Sequence, residues 1–533
     1  MAKLTRFDSK THSPLHLKPL PEPLHLCNSH SLTSPSRKIP MAHLNIFFIL
    51  LLLLGLQGSN GSDSFPQRRS LQEHHERFLH SKTGHAKHGC GGKNCGRIFH
   101  PIGYGADPTG VQDSSDAFMS CITDAFAVQK GLQLMAGITD LGGVVIDLQG
   151  GDYKIGKPIR FPPAFGNVVI HGGTLRASSD FAPEGYLIEL SQDESATAKL
   201  LKTSVIQEHE FADMKLGHVS FQYEDITVRD ILFDSNFRGG GIVVIDAVRT
   251  RIDNCFFIHF TTEGILVERG HETFISSSFL GQRLTAGGDP HEKEFSGTAI
   301  DLASNDNTIT DVAIFSAAIG VVLRGQANIL TGVHCYNKAT YWGGIGVHVK
   351  LAGLGQTRID NCYMDYTGIL LEDPVQVHIT NGFFLGNANI VLKSVKGRIS
   401  GLNIVDNMFA GSGWGTPIVH LDESMGQFTS IDQVVIERNN VREMKLKSTV
   451  GKVTVAGKGT QWVANFTSEL VFPNRISHLQ YSFYSKGGTS GLATHGVTSV
   501  SGNVVIVGTD KEVDGVVSVM VDQDTKVGEK LNM

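Results

Sequence analysis

The chain has 533 residues, with 60 glycines, 17 prolines, a charged fraction of 18% and a formal net charge of −6. Length alone allows about three domains. The negative balance argues against nucleic acid as a partner, and many glycines with few charges suit many tight turns around one long shared core.

Residues 1–40 are polar, rich in Pro, Ser and His, and without periodicity; they read as an unstructured extension. Residues 41–62 begin at Met41 and contain an apolar run of 11 residues, Ile46–Leu56, followed by Gly58, Ser59, Gly61 and Ser62. That run is short for a bilayer span and right for a signal peptide with a cleavage site among the small residues. The expected location is therefore secreted, with membrane contact only through this segment. Residues 63–97 form a basic, His-rich linker ending in Cys90-Gly-Gly-Lys-Asn-Cys95. A metal tract is one reading of this composition; a solvated spacer with a local disulfide is preferred, and no cofactor or metal is expected. Asn465-Phe-Thr is a glycosylation sequon that fits secretion, as does Asn60-Gly-Ser if it survives cleavage.

From Ala117 to Gln129 the apolar residues Phe118, Cys121, Ile122, Ala125 and Phe126 share one helical face. Strands follow at 142–148 and 151–155. The dominant signal then runs from Ile226 to about Phe409, as imperfect repeats of roughly 20–35 residues. Their cores include Thr227–Phe233, Thr250–Phe257, Thr273–Leu280, Thr308–Phe315, Ile329–Tyr336, Thr357–Met364 and Val377–Phe384. A second strand set alternates with them: Gly264–Val267, Ala299–Leu302, Gly320–Leu323, Gly346–Val349, Gly368–Leu371 and Asn389–Leu392. No helical period intervenes, so a βαβ fold fails. Units this short bury their apolar faces only by stacking. The expected fold is all-β: a right-handed parallel β-helix over 98–444, with rungs about 4.8 Å apart and the single helix as lid over the open end. Residues 445–533, rich in Val, Thr and Gly, read as last rungs or as a separate β-cap. Cys255 and Cys362 share a column about four rungs apart, near 19 Å, which is too far to bridge; they are expected as buried thiols.

The stretches GYGADPTGVQDSSDAF (103–118) and GGVVIDLQGGDYKI (142–155) resemble the N-terminal signature of the pectate-lyase-like superfamily. ERGHETFISSSFLGQ (268–282), GVHCYNKAT (332–340) and DYTGILLEDPVQVHITNGFFLG (365–386) resemble the plant quartet-type polygalacturonases, which separate pollen tetrads. The resemblance runs from about Ile98 to the C-terminus. It implies a secreted, pectin-degrading β-helix enzyme whose partner is polygalacturonate; a monomer is expected.

Glycoside hydrolysis needs an acid and a second carboxylate, and an anionic sugar needs cations nearby. Aligned on their leading small residue, the second strands give an inward column, Ile265, Ile300, Val321, Val347 and Ile369. Beside it run two outward columns: Leu266, Asp301, Val322, His348, Leu370, and then Glu268, Ala303, Arg324, Lys350, Glu372. One sheet face thus carries acids beside bases, as a long polyanion requires. Of the motifs the resemblance implies, Thr261-Thr262-Glu263-Gly264-Ile265 matches the first, with Glu263 as its carboxylate. Gly346–Lys350 resembles the last, with Lys350 matching and His348 in place of Arg. The Asp-Asp and Gly-His-Gly motifs have no counterpart. Substitute carboxylates stand in the loop 287–296 (Asp289, Glu292, Glu294). The expected catalytic set is Glu263, Asp301 and Asp289, with Glu263 and Asp301 on adjacent rungs at about 5–9 Å. Arg324, His348 and Lys350 are expected to grip substrate carboxylates.

Other residues read as structure. Asp230, Asp253, Asp311 and Asp360 form a turn column, Asn254, Asn361 and Asn381 an Asn ladder, and Phe279, Phe315, Phe383 and Phe384 interior stacks. His334, Asn337 and Lys338 are candidates to enter the cleft. For Tyr341 and Trp342, a sugar platform and turn packing both stand. Two alternatives to hydrolysis remain: β-elimination, with the 289–294 loop as a Ca²⁺ site, and glycan binding without cleavage.

Overall fold

The computed structural model describes residues 94–128, 131–192, 221–282, 296–336, 342–350, 353–486 and 492–524. The leader, the signal segment, Cys90 and Asp289 lie outside the described residues.

A parallel β-helix runs from Ile98 to Arg442, each strand hydrogen-bonded to the strand one coil before and one coil after. One face concerns us most. Its strands are β1 Ile159–Arg160, β2 Tyr186–Leu190, β3 Gly240–Ile245, β4 Glu263–His271 and β5 Ser296–Asn305. They continue as β6 Ala317–Leu323, β7 Ile345–Val349, β8 Ile369–Glu372, β9 Ile390–Lys393 and β10 Val419–Asp422. The inward column is unbroken: Ile159, Ile188, Ile242, Ile265, Ile300, Val321, Val347, Ile369, Ile390 and Val419 pair in succession, and all are buried. At roughly 1.5–3 kcal/mol per fully buried aliphatic side chain, this column fixes the register. A slip of one residue would turn the whole set to solvent.

The lid helix, α1 Ser115–Phe126, buries Phe118, Cys121, Ile122, Ala125 and Phe126, the face its sequence marks. Phe118 meets Tyr153 edge-on at 5.0 Å, and Phe126 meets Phe161 and Phe165 at 5.8 and 5.4 Å. The helix ends at Phe126, short of Gln129.

After the last rung the chain forms a separate antiparallel sheet rather than further coils. Its strands are β11 Val450–Asn465, β12 His478–Ser485, β13 His495–Ser501 and β14 Val504–Asp522; β14 pairs with the other three. Trp462, Phe466, Val505, Val507, Val517, Val519 and Val521 give it a core of its own. Asn465 ends β11 exposed, its Oδ1 accepting from the Thr467 N–H at 3.0 Å.

Two expected columns need correction. The residues that turn the chain at one corner are Asp230, Asn254, Ser277, Asp311, Gly332, Asn361, Asn381 and Asp406, all at φ between 51° and 66°. Left-handed backbone favours Asn, Asp and Gly, so Asp and Asn here belong to one column. Asp253 and Asp360 sit one position earlier, as the last strand residues, and accept side-chain hydrogen bonds from Ser276 and Thr380. Likewise only Phe384 of the four phenylalanines is interior. In these three-residue strands the middle residue points inward (Phe257, Leu280, Ile314, Phe384, Phe409), so Phe279, Phe315 and Phe383 flank it on the outside, Phe383 at 46% exposure. Cys255 and Cys362 are buried free thiols, as expected, pushed up to about 12 by burial.

Candidate active site

The outward column of the β1–β10 face reads Arg160, Glu189, Val243, Leu266, Asp301, Val322, His348, Leu370, Val391 and His420. It is the outer side of this sheet face, on which Glu189, Val243, Leu266 and Val322 are themselves buried. Two clusters of charge stand on it.

In the first, Arg324, just past β6, donates from Nε to Asp301 Oδ1 at 2.9 Å and lies 3.6 Å from Glu268 Oε1 through Nη2. Glu263 opens β4, one rung from Asp301, because Leu266 pairs with Asp301 and Glu263 with Thr298. The Tyr186 hydroxyl, two rungs back on β2, donates to Glu263 Oε2. The ring passes over Gly240 between them; a Cβ there would lie 2.4 Å from the ring, so only glycine lets the contact form.

Burial pushes the Glu263 carboxyl above the usual range, and the Asp301 charge adds to this; the Tyr186 hydrogen bond and Arg324 oppose it. Burial also raises Asp301, but there Arg324, Lys350 and His348 all pull the other way. Both carboxyls are raised on balance; of the two, Asp301 holds the direct arginine contact and is the better placed to carry the charge. Burial raises Glu268 as well. Buried and next to Glu263, the Tyr186 phenol is raised far enough to stay a donor.

In the second cluster, His348 Nε2 lies 3.1 Å from Glu372 Oε1 and Lys393 Nζ lies 3.2 Å from the same oxygen. Burial would raise Glu372, but the His348 hydrogen bond and charge, then Lys393, hold it down to about 2.

No family model matches the chain. It is similar to the polygalacturonase QRT3 of Arabidopsis thaliana, 52% identical over 430 residues that span 80% of this chain and 84% of the relative. Among solved structures it is similar to ORF18 of Geobacillus virus E2, with 11% identity, TM-score 0.47, and 86% and 84% of the two chains covered. It is also similar to PfbA, a surface adhesin of Streptococcus pneumoniae, with 12% identity, TM-score 0.46, and 77% and 98% covered. The chain belongs to the polygalacturonase family.

In this family member Glu263 and Asp301 come together as the strand register requires, while Asp289 lies outside the described residues. Arg324 and His348 are engaged by the protein's own carboxylates. Lys350 is exposed at the end of β7, and its charge reaches Asp301. Sequence reasoning missed Tyr186, Glu189 and Arg160. Glu189 is buried and paired with Arg160 at 2.9 Å, extending the outward column by two rungs. The available signal was the alignment of Tyr186-Leu-Ile-Glu-Leu with Gly240-Gly-Ile-Val-Val, which carries the column N-terminal of the strong repeats. Glu372 was placed in the right column, but its His348 and Lys393 partners were not foreseen.

Proposed function

We propose that this family member is a secreted glycoside hydrolase that cleaves α-1,4-galacturonan in pectin of the plant cell wall, in the separation of pollen tetrads that quartet-type enzymes perform. The reading rests on one observation: two buried carboxyls on adjacent rungs, one facing a phenol and one an arginine, on a sheet face that carries both acids and bases. Glu263 keeps its proton and delivers it to the glycosidic oxygen as the bond to the anomeric carbon breaks. Asp301, ionised beside Arg324, takes a proton from the water that adds at that carbon. Each step then has its acid and base. Lys350 supplies a cation for a uronate carboxylate. The signal-like run Ile46–Leu56 and the exposed sequon at Asn465 support secretion.

The test is reducing-end release from polygalacturonate, with ultraviolet absorbance followed in parallel. Hydrolysis gives new reducing ends without an unsaturated product, and Glu263→Gln and Asp301→Asn each lower turnover at least about 100-fold. An unsaturated product would establish elimination instead, and binding without release would establish a glycan-binding role.

A further inference from the structure

We propose that Trp342 and Trp414 form aromatic subsites for the distal residues of an acidic polysaccharide lying along the β1–β10 face, so that the protein favours long chains over short ones. This rests on the galacturonan reading above.

The chain has three tryptophans. Trp462 is buried in the core of the C-terminal sheet at 2% exposure, whereas Trp342 is 45% and Trp414 79% exposed. A single exposed apolar side chain is ordinary. These two differ in where they stand and in how they are held. Trp342 lies on the turn entering β7, and Trp414 on the turn entering β10. Both residues follow the same corner of the coil, so they stand along one edge of the β1–β10 face, three rungs or about 14 Å apart. A rung is about as long as one pyranose residue, so the two rings fit positions along a single sugar chain.

Both turns are tied down. The Gly343 N–H donates to Tyr366 O at 3.0 Å, and the Trp342 ring edge abuts Gly368, where a Cβ would lie 3.3 Å from it. The Trp414 turn is gripped from both neighbouring rungs. Asn387 donates to Ser412 Oγ at 2.7 Å and accepts from the Ser412 N–H at 3.0 Å, while the Gly413 N–H donates to Glu443 O at 3.1 Å. Gly413 and Gly415, at φ 79° and 75°, bracket the ring. The loop is thus fixed, yet its one large apolar side chain points into solvent.

Polar groups suited to a uronate accompany each ring. The Lys445 side chain reaches Gly415, with Cε 3.2 Å and Nζ 3.5 Å from where a Cβ would stand. This places a cation beside Trp414. Near Trp342, Asn389 Oδ1 lies 3.2 Å from where a Gly368 Cβ would stand. A ring for the sugar's CH face and a cation for its carboxylate are the two features an acidic sugar needs.

The experiment uses the full chain carrying Glu263→Gln, which binds without cutting, titrated with oligogalacturonides of increasing length while tryptophan emission is followed. Trp462 supplies a constant background. Affinity is expected to rise with length, with a change in emission. Trp414→Ala and Trp342→Ala are each expected to weaken the long oligomers about tenfold, a difference of about 1.4 kcal/mol, and to leave the shortest oligomer that binds unchanged. Trp414→Phe should restore most of the loss. Equal binding of long oligomers by the alanine variants, with emission unmoved, overturns the proposal and leaves the enzyme reading standing. If no oligogalacturonide of any length binds, the galacturonan reading fails and this one with it.

Discussion

Glu263 and Glu372 stand on the same sheet face, four rungs or about 19 Å apart, and both are largely buried. One is raised and the other is held down to about 2. Burial is the first cause at each, and it raises both. The sign is decided by what surrounds them: at Glu263 a second acid adds to burial and a phenol and Arg324 do not overcome it, whereas at Glu372 an imidazole and an ammonium do. Repetition of the backbone therefore does not repeat the chemistry. The coil supplies equivalent positions, and the partners reached from neighbouring rungs decide which position holds a proton and which holds a charge.

The largest expected effect comes from the raised end. Glu263→Gln or Asp301→Asn lowers turnover on polygalacturonate by about 10²–10⁴-fold, the usual worth of a positioned acid or base, while Glu372→Gln leaves turnover within about tenfold. Comparable losses in all three would erase the distinction between the two clusters.

Next comes Arg324→Met, which leaves Asp301 and Glu268 buried without their cation. A loss of about 3 kcal/mol in unfolding free energy is expected. The acid limb of the activity profile should move to higher pH as Asp301 becomes harder to ionise. Chemical denaturation and a pH profile read the two effects separately.

Glu372→Gln should act on stability. The folded-state value of Glu372 lies below the ordinary one, so its contribution is present above the usual carboxylate range and is lost as pH falls toward about 2. The substitution should remove about 1–2 kcal/mol at neutral pH, after allowance for solvent screening, and flatten the decline in acid. Melting temperatures across that range measure it.

The smallest effect sharpens the contrast with a carboxyl that burial alone raises. Asp365, on the outer side of another face, is pushed up to about 6 by burial. Its folded value exceeds the unfolded one, so stability is greatest below the usual Asp range and falls as pH rises toward about 6. Asp365→Asn should abolish that fall and stabilise the protein near neutrality by on the order of 1 kcal/mol.

Much of this was legible in the sequence because a coil repeats its inward column at every rung. Ile265, Ile300, Val321, Val347 and Ile369 fixed the register, and the register placed Asp301, His348 and Glu372 on one face before any contact was known. The lid helix was legible from its apolar face alone. Tyr186 was not: it precedes Glu263 by 77 residues, comes from the weakly repetitive first rungs, and reaches across a glycine. The three-residue strands also misled. They are too short to display alternation, so Phe383 and Phe384 looked alike although one is half exposed and the other buried. The two Asp columns merged because a corner residue and its predecessor both favour Asp, one for left-handed backbone and one for side-chain hydrogen bonds.

The most direct test of the proton's position is infrared spectroscopy of the protonated-carboxyl stretch at neutral pH, above the range where Asp365 titrates. The native protein should show the band, and Glu263→Gln should remove a carboxyl's worth of it. An undiminished band in Glu263→Gln would mean that Glu263 is ionised and cannot be the acid.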